Sequence, residues 1–157
     1  MPNRNASGAD AVVRQWFERV WNNGEENAID DLVATDAVAR GLSSGDLKGP
    51  DQFKPFFQSM RAAFPDIGIT LLRCVTEGDL CAAHYKVTGT HKGDGLGFPA
   101  TGRKVVYEGM TMFRVADGKL QEGWNCLDSM SLFQQLGLIP VPPGQPVTTP
   151  AKVPATT

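Results

Sequence analysis

The chain has 157 residues, 41% of them apolar and 20% charged, which suits one folded domain with one core and excludes a disordered chain. Fifteen Lys and Arg against seventeen Asp and Glu give a net charge of -2, so there is no basic field to hold a nucleic acid. No apolar run reaches the ~20 residues that span a bilayer, and the polar residues 1–10 lack the apolar segment of a secretory leader; neither a nucleic-acid nor a membrane partner is expected, and the expected location is the cytoplasm.

In chain order, residues 9–21 carry Val12, Val13, Trp16, Phe17, Val20 and Trp21 at helical spacing, with Arg14, Glu18 and Arg19 on the other face. Ser7 followed by Asp10 predicts a capping box, and Asn22-Asn23-Gly24 a stop. A short helix is expected over 27–34 and a brief strand or extended turn over 37–41. Gly49-Pro50-Asp51 opens a third helix with the apolar face Phe53, Phe56, Phe57, Met60, Ala63 and Phe64, ended by Pro65. The period then changes to alternation, predicting strands at about 67–77, 80–90, 103–115 and 119–128, with turns at Glu77-Gly78-Asp79 and Asp117-Gly118. A last helix runs from about 128 to 135. Residues 140–157 are rich in Pro and Thr and are expected to be an extended tail outside the domain of residues 1–139. Helices on one face of a curved antiparallel sheet make an α+β cone whose mouth is a pocket.

Several motifs are excluded by their context. Gly93-Asp94-Gly95-Leu96-Gly97 superficially suggests a dinucleotide fingerprint, but Pro99 and a strand follow where a helix is required, so it reads as a flexible hairpin loop. Along one strand Cys81 and His91 share a face and His84 takes the other, so the three do not converge as metal ligands. Cys74, Cys81 and Cys126 are odd in number and lack C-x-x-C spacing, which excludes a disulfide framework and predicts buried free thiols.

The carboxylates of the last strands carry the chemistry. Glu108 sits in a mostly apolar run, and alternation puts Glu122, Trp124 and Asp128 on one face. If that face is concave, a carboxyl group beside aromatic walls loses hydration and its pKa rises toward a value useful in proton transfer. Leu120 and Trp124 on one face and Leu127 on the other leave open which side looks inward, and Asp128 before Ser-Met-Ser-Leu also reads as a helix cap. His84 is a candidate partner for a substrate carbonyl or a carboxylate, on a face shared with Lys86, Thr88 and Thr90.

Five segments in this order carry a family resemblance: Thr88-Gly89-Thr90-His91-Lys92-Gly93, Leu96-Gly97-Phe98-Pro99-Ala100-Thr101-Gly102-Arg103, Phe113-Arg114 with Asp117-Gly118-Lys119, Trp124 to Asp128, and Leu132-Phe133-Gln134-Gln135-Leu136-Gly137. Over roughly residues 9–138 the chain resembles the SnoaL-like polyketide cyclases (ester cyclases), within the nuclear-transport-factor-2-like (NTF2-like, cystatin-like), ketosteroid-isomerase-like superfamily. The resemblance implies the cone-shaped fold, a homodimer or higher homo-oligomer, and cofactor-free aldol closure of a hydrophobic polyketide-like ester by general acid/base catalysis, with no metal. By motif position Asp128 matches the family's acidic residue after the strand Trp, and His91 the His of its Gly-Thr-His-x-Gly segment. His84 stands where many members carry an Arg, and Gly123 and Asn125 where acidic and His residues are frequent.

The candidate catalytic residues are therefore Asp128, Glu122 and His84, and the candidate substrate contacts Trp124, Asn125, His91, Tyr107, Phe98 and Trp16. Competing expectations are an intramolecular [4+2] cycloaddition on a polyene, a ketosteroid-isomerase-like double-bond shift, an epoxide opening, and a non-catalytic ligand-binding module with Glu122, Trp124 and Asp128 on the convex face.

Overall fold

The computed structural model describes residues 8–144. Ser7 of the predicted capping box and the tail from residue 145 onward lie outside the described residues. Helix α1, Gly8–Gln15, continues without a break into a π-helical segment, Trp16–Asn22. There the Asn23 N–H donates to the carbonyl five residues back, Glu18 O, at 2.8 Å. This wider turn keeps Trp16, Phe17, Val20 and Trp21 all on the buried side.

Helix α2, Asn27–Leu32, is shorter than predicted because Val33 is already extended, with φ -111° and ψ 129°. From it runs β1, Val33–Arg40, a full strand where only a short extended piece was expected. A two-residue strand, β2 (Leu47–Lys48), leads into α3, Gly49–Ala63, with Pro50 in its first turn and Phe53, Phe57 and Ala63 buried. Strands β3 (Gly68–Glu77), β4 (Leu80–Thr90), β5 (Lys104–Ala116) and β6 (Lys119–Leu127) follow as predicted to within a few residues. Helix α4, Ser129–Gln135, closes the described domain. The β5–β6 turn has φ of 53° at Asp117 and 71° at Gly118, the two left-handed residues that a tight hairpin between twisted strands requires.

The six strands form one sheet in the order β2-β1-β6-β5-β4-β3. All neighbours are antiparallel except β1 and β6, which run parallel. α1, the π-helical segment and α3 cover the inner face, where one contiguous core joins Val13, Val20, Ile29, Phe64, Cys81 and Val105.

The Gly-rich loop after β4 lies back along the end of α3. Lys92 N–H donates to Ala63 O at 2.9 Å. A Cβ at Gly93 would stand 2.0 Å from Ala62 O, and one at Gly95 2.0 Å from Ser59 O. These glycines serve backbone-to-backbone approach, which is what the fingerprint-like spacing records.

β6 pairs with β5 only from Ala116↔Lys119 to Gly109↔Leu127, so the first part of β5 lacks a strand on that side. Gln135 fills the place. Its Nε2 donates to Val106 O at 2.8 Å and its Oε1 accepts from Val106 N at 2.9 Å, with Gln135 buried and Val106 half-buried. Gln135→Leu removes both bonds while keeping bulk and leaves two backbone groups unsatisfied, so a loss of about 1–3 kcal/mol is expected. Denaturant unfolding of the variant against the parent measures it.

Candidate active site

Between the sheet's inner face and the helices is a cavity of about 90 Å³. Trp16, Phe17 and Trp21 enter it from the π-helical segment, Phe53, Phe56 and Met60 from α3, and Tyr85, Tyr107, Thr111 and Phe113 from the central strands. Tilted aromatic pairs hold the walls: the Trp16 and Phe53 rings are 5.1 Å apart, Phe17 and Tyr85 4.8 Å. Half-exposed Leu42, Leu47, Phe56 and Met60 stand at the rim.

Few polar groups reach this space, and most of them bond to one another. Thr111 Oγ1 donates to Asn125 Oδ1 at 2.8 Å, and Asn125 Nδ2 donates to Arg40 O at 2.9 Å. Having spent its single proton, Thr111 accepts from the Tyr85 hydroxyl, 3.0 Å away. Tyr107 differs. It lines the cavity and is 5% exposed, and its hydroxyl has no hydrogen-bond partner among the described residues. Burial pushes its phenol pKa above the ordinary tyrosine value, as it does for Tyr85, so both stay protonated hydroxyls.

The register of β6 decides which predicted residues share this space. Leu120 pairs with Val115 and Glu122 with Arg114, so Gln121 is an extra residue, a β-bulge. The strand changes phase there. Leu120, Gly123, Asn125 and Leu127 line the cavity, whereas Trp124 points away with its β5 partner Met112 and its β1 partner Arg40. Glu122, Trp124 and Asp128 do share a face, but it is the outer one, and the concave placement expected of them is corrected.

Glu122 alone of the three also touches the cavity, at its rim. Its carboxylate accepts from Arg40 Nη1 at 2.7 Å and Arg114 Nε at 3.3 Å. The two guanidinium carbons lie 5.4 and 6.0 Å from the Trp124 ring centroid, so the indole packs against charge rather than facing the cavity. Asp128 caps α4, its Oδ1 accepting from Ser131 N at 3.0 Å. His84 Nε2 lies 2.7 Å from Glu108 Oε2, in a shallow outer groove shared with Asp128 and Cys126.

His91 is fully buried but is not part of the cavity wall. Its Nδ1 accepts from Thr101 N at 3.2 Å, and its ring lies 5.5 Å from that of Phe64, so it clasps the two ends of the Gly-rich loop. Phe98 stands on that loop, 39% exposed and away from the cavity. Of the predicted site residues, Trp16, Tyr107 and Asn125 meet inside, with Glu122 at the rim. Tyr85 and Thr111 were missed, although strict alternation through Cys81, Ala83, Tyr85 and Val87, and through Tyr107, Thr111 and Phe113, marks the inner face.

The comparisons with known proteins agree with this architecture. The sequence pattern of the SnoaL-like polyketide cyclase family matches residues 11–136. The chain belongs to that family. It is similar to aklanonic acid methyl ester cyclase DnrD of Streptomyces peucetius, 26% identical over 129 residues that cover 80% of this chain and 88% of that enzyme. Nogalonic acid methyl ester cyclase of Streptomyces nogalater is 26% identical over 119 residues, 74% of this chain and 89% of the other. Among solved structures, a SnoaL-like protein from Jannaschia sp. CCS1 superposes with a TM-score of 0.79 at 21% identity, covering 89% of this chain and all of that one. A protein of ketosteroid isomerase-like fold from Catenulispora acidiphila gives 0.70 at 18%, covering 82% of this chain and 93% of that one. The fold is thus the NTF2-like, ketosteroid-isomerase-like cone. No helix among the described residues is long and apolar enough to cross a membrane.

The two buried phenols contribute to the alkaline behaviour of the protein. Their folded pKa values lie above the unfolded value of about 10, so the unfolded chain loses its phenol protons first and binds fewer than the native state. Stability is fully present below about pH 10 and declines as pH rises through the folded values. Unfolding free energy measured across that range should fall less steeply in Tyr107→Phe than in the parent.

Proposed function

We propose that the chain closes a carbon–carbon bond within a polyketide-derived ester, by an aldol-type reaction held in the aromatic cavity. The observation that carries this reading is a protonated phenol, Tyr107, without a partner among the described residues, in a largely apolar cavity with the carboxylate of Glu122 at its rim. Relatives named as methyl ester cyclases of aklanonic and nogalonic acid support the substrate class.

A carbon flanked by two carbonyls is acidic, and its enolate is delocalised into the substrate itself, so the step calls on no cofactor. Glu122, oriented by Arg40 and Arg114, takes that carbon-bound proton. The enolate carbon attacks a ketone of the same molecule, and negative charge gathers on that ketone's oxygen. Tyr107 donates its hydrogen bond there, where the low dielectric makes a positioned donor worth most. The oxygen takes up one proton from solvent to give the alcohol and Glu122 releases the one it took, so ring closure neither gains nor loses protons. The aromatic walls hold the folded substrate with its reacting carbons together, which replaces lost rotational freedom by prior binding. Asn125 and Thr111, committed to one another and to Arg40 O, keep the floor rigid.

One observation favours a second reading. Among the described residues the one carboxylate touching the cavity is doubly paired with arginines, and a [4+2] cycloaddition on a polyene needs no base, only a fitted apolar space and one donor. Turnover of a linear methyl ester substrate by purified protein separates the two. Under the aldol reading Glu122→Gln abolishes ring closure and the rate of the parent follows an acidic limb in pH. Full activity in Glu122→Gln with a flat pH–rate profile favours the cycloaddition instead. In either reading Tyr107→Phe lowers kcat by about 10²-fold with little change in KM, the usual loss on removing one such donor.

A further inference from the structure

We propose that Cys74 and Cys81 form a dithiol site that a peroxide converts into an intrachain disulfide. The two cysteines occupy diagonal positions on one face of the β3–β4 hairpin, in a register that pairs Cys74 with Ala83 and Thr76 with Cys81. Their sulfurs are 2.7 Å apart, closer than two thiols rest at van der Waals contact. From there a disulfide bond of about 2.04 Å is reached by a small closing motion of the two side chains. Two thiolates sharing one metal ion would instead have to move apart. Cys81 is fully buried and Cys74 half-buried, so Cys74 meets the oxidant and Cys81 is the resolving partner.

α1 covers the pair with a charged group. The carboxylate of Asp10 and both sulfurs lie within 4.8 Å of one another, and Arg14 Nε is 3.0 Å from that carboxylate. The carboxylate nearest the sulfurs is thus itself paired with a guanidinium, which limits its repulsion of a thiolate formed there. Burial, with Cys81 and Asp10 beside it, pushes the Cys74 thiol up, so the resting pair is protonated and the attacking thiolate forms only transiently.

The chemistry balances. The Cys74 thiolate attacks one peroxide oxygen and breaks the O–O bond, leaving a sulfenic acid and, after proton transfer, one water. Cys81 sulfur then attacks the Cys74 sulfur, the S–O bond breaks, and the hydroxyl leaves as a second water with the Cys81 proton. Two thiols lose two electrons and two protons in all, and hydrogen peroxide is reduced to two waters.

Cys126 lies on the outer face, exposed, and is the built-in comparison. The test uses the full chain as Cys126→Ser, which keeps the pair alone, reduced and then freed of reductant. After hydrogen peroxide treatment and denaturation, both remaining thiols should be lost, the mass should fall by two hydrogens, and a proteolytic fragment should join Cys74 to Cys81. Dithiothreitol should restore both thiols, and the rate should not depend on protein concentration. Two thiols still titratable after treatment, oxygen added without a crosslink, or crosslinks between chains would each overturn the proposal. So would tight retention of zinc by the reduced protein with protection of both thiols. The parent chain gives an independent count, from three thiols to one.

Discussion

The extra residue at Gln121 sets the phase of the last strand, and with it the identity of the cavity wall. Because side chains alternate with a period of two, one inserted residue exchanges every position beyond it between the two faces. Leu120 stays inside on one side of the bulge, and Gly123, Asn125 and Leu127 are inside on the other. Without the insertion Glu122 and Trp124 would share Leu120's face and turn a carboxylate and an indole into the core. The bulge exchanges them for a small residue and an amide, and hands the charged group to Arg40 and Arg114 on the outside.

This placement makes physical sense for a small cone. A carboxylate inside an aromatic enclosure has to be paired or neutralised, and the burial penalty is several kcal/mol per ion even after relaxation. Hydroxyl and amide groups are less costly to enclose when they satisfy one another, as Tyr85, Thr111 and Asn125 do. Tyr107 is then a wall hydroxyl whose hydrogen bond is still to be made. The π-helical segment serves the same enclosure, with Trp16, Phe17, Val20 and Trp21 all buried against it.

Much of this fold is legible in the sequence because its signals are local. The 3.6-residue period of residues 9–21, the first-turn proline at Pro50, the Asp117-Gly118 turn and the cap at Asp128 all act within a few residues. Strand β1 is obscure since Val-Ala-Thr-Asp-Ala-Val-Ala-Arg has small side chains and no clean alternation, and its parallel pairing with β6 is a long-range fact. The candidate site is only partly legible for the same reason. Nothing around Gln121 marks an insertion; it exists only against the register of β5. Trp16, Tyr107 and Asn125 are found by residue type and strand position, whereas His91 and Trp124 are drawn away by partners distant in sequence, Thr101 and Arg114. Cys126, expected to be buried, is exposed because the same phase change turns it outward.

The clasp of Gln135 on Val106 has a consequence for the molecule's solubility during synthesis and repair. A strand that ends its pairing early presents bare donors and acceptors, and such a rim is a template on which a foreign strand can grow into fibrillar assemblies. By spending one amide on both groups of Val106, α4 acts as a cork in that opening. A chain cut short before residue 135 would carry an uncorked β5, sticky toward its own kind however well the rest of the cone had formed.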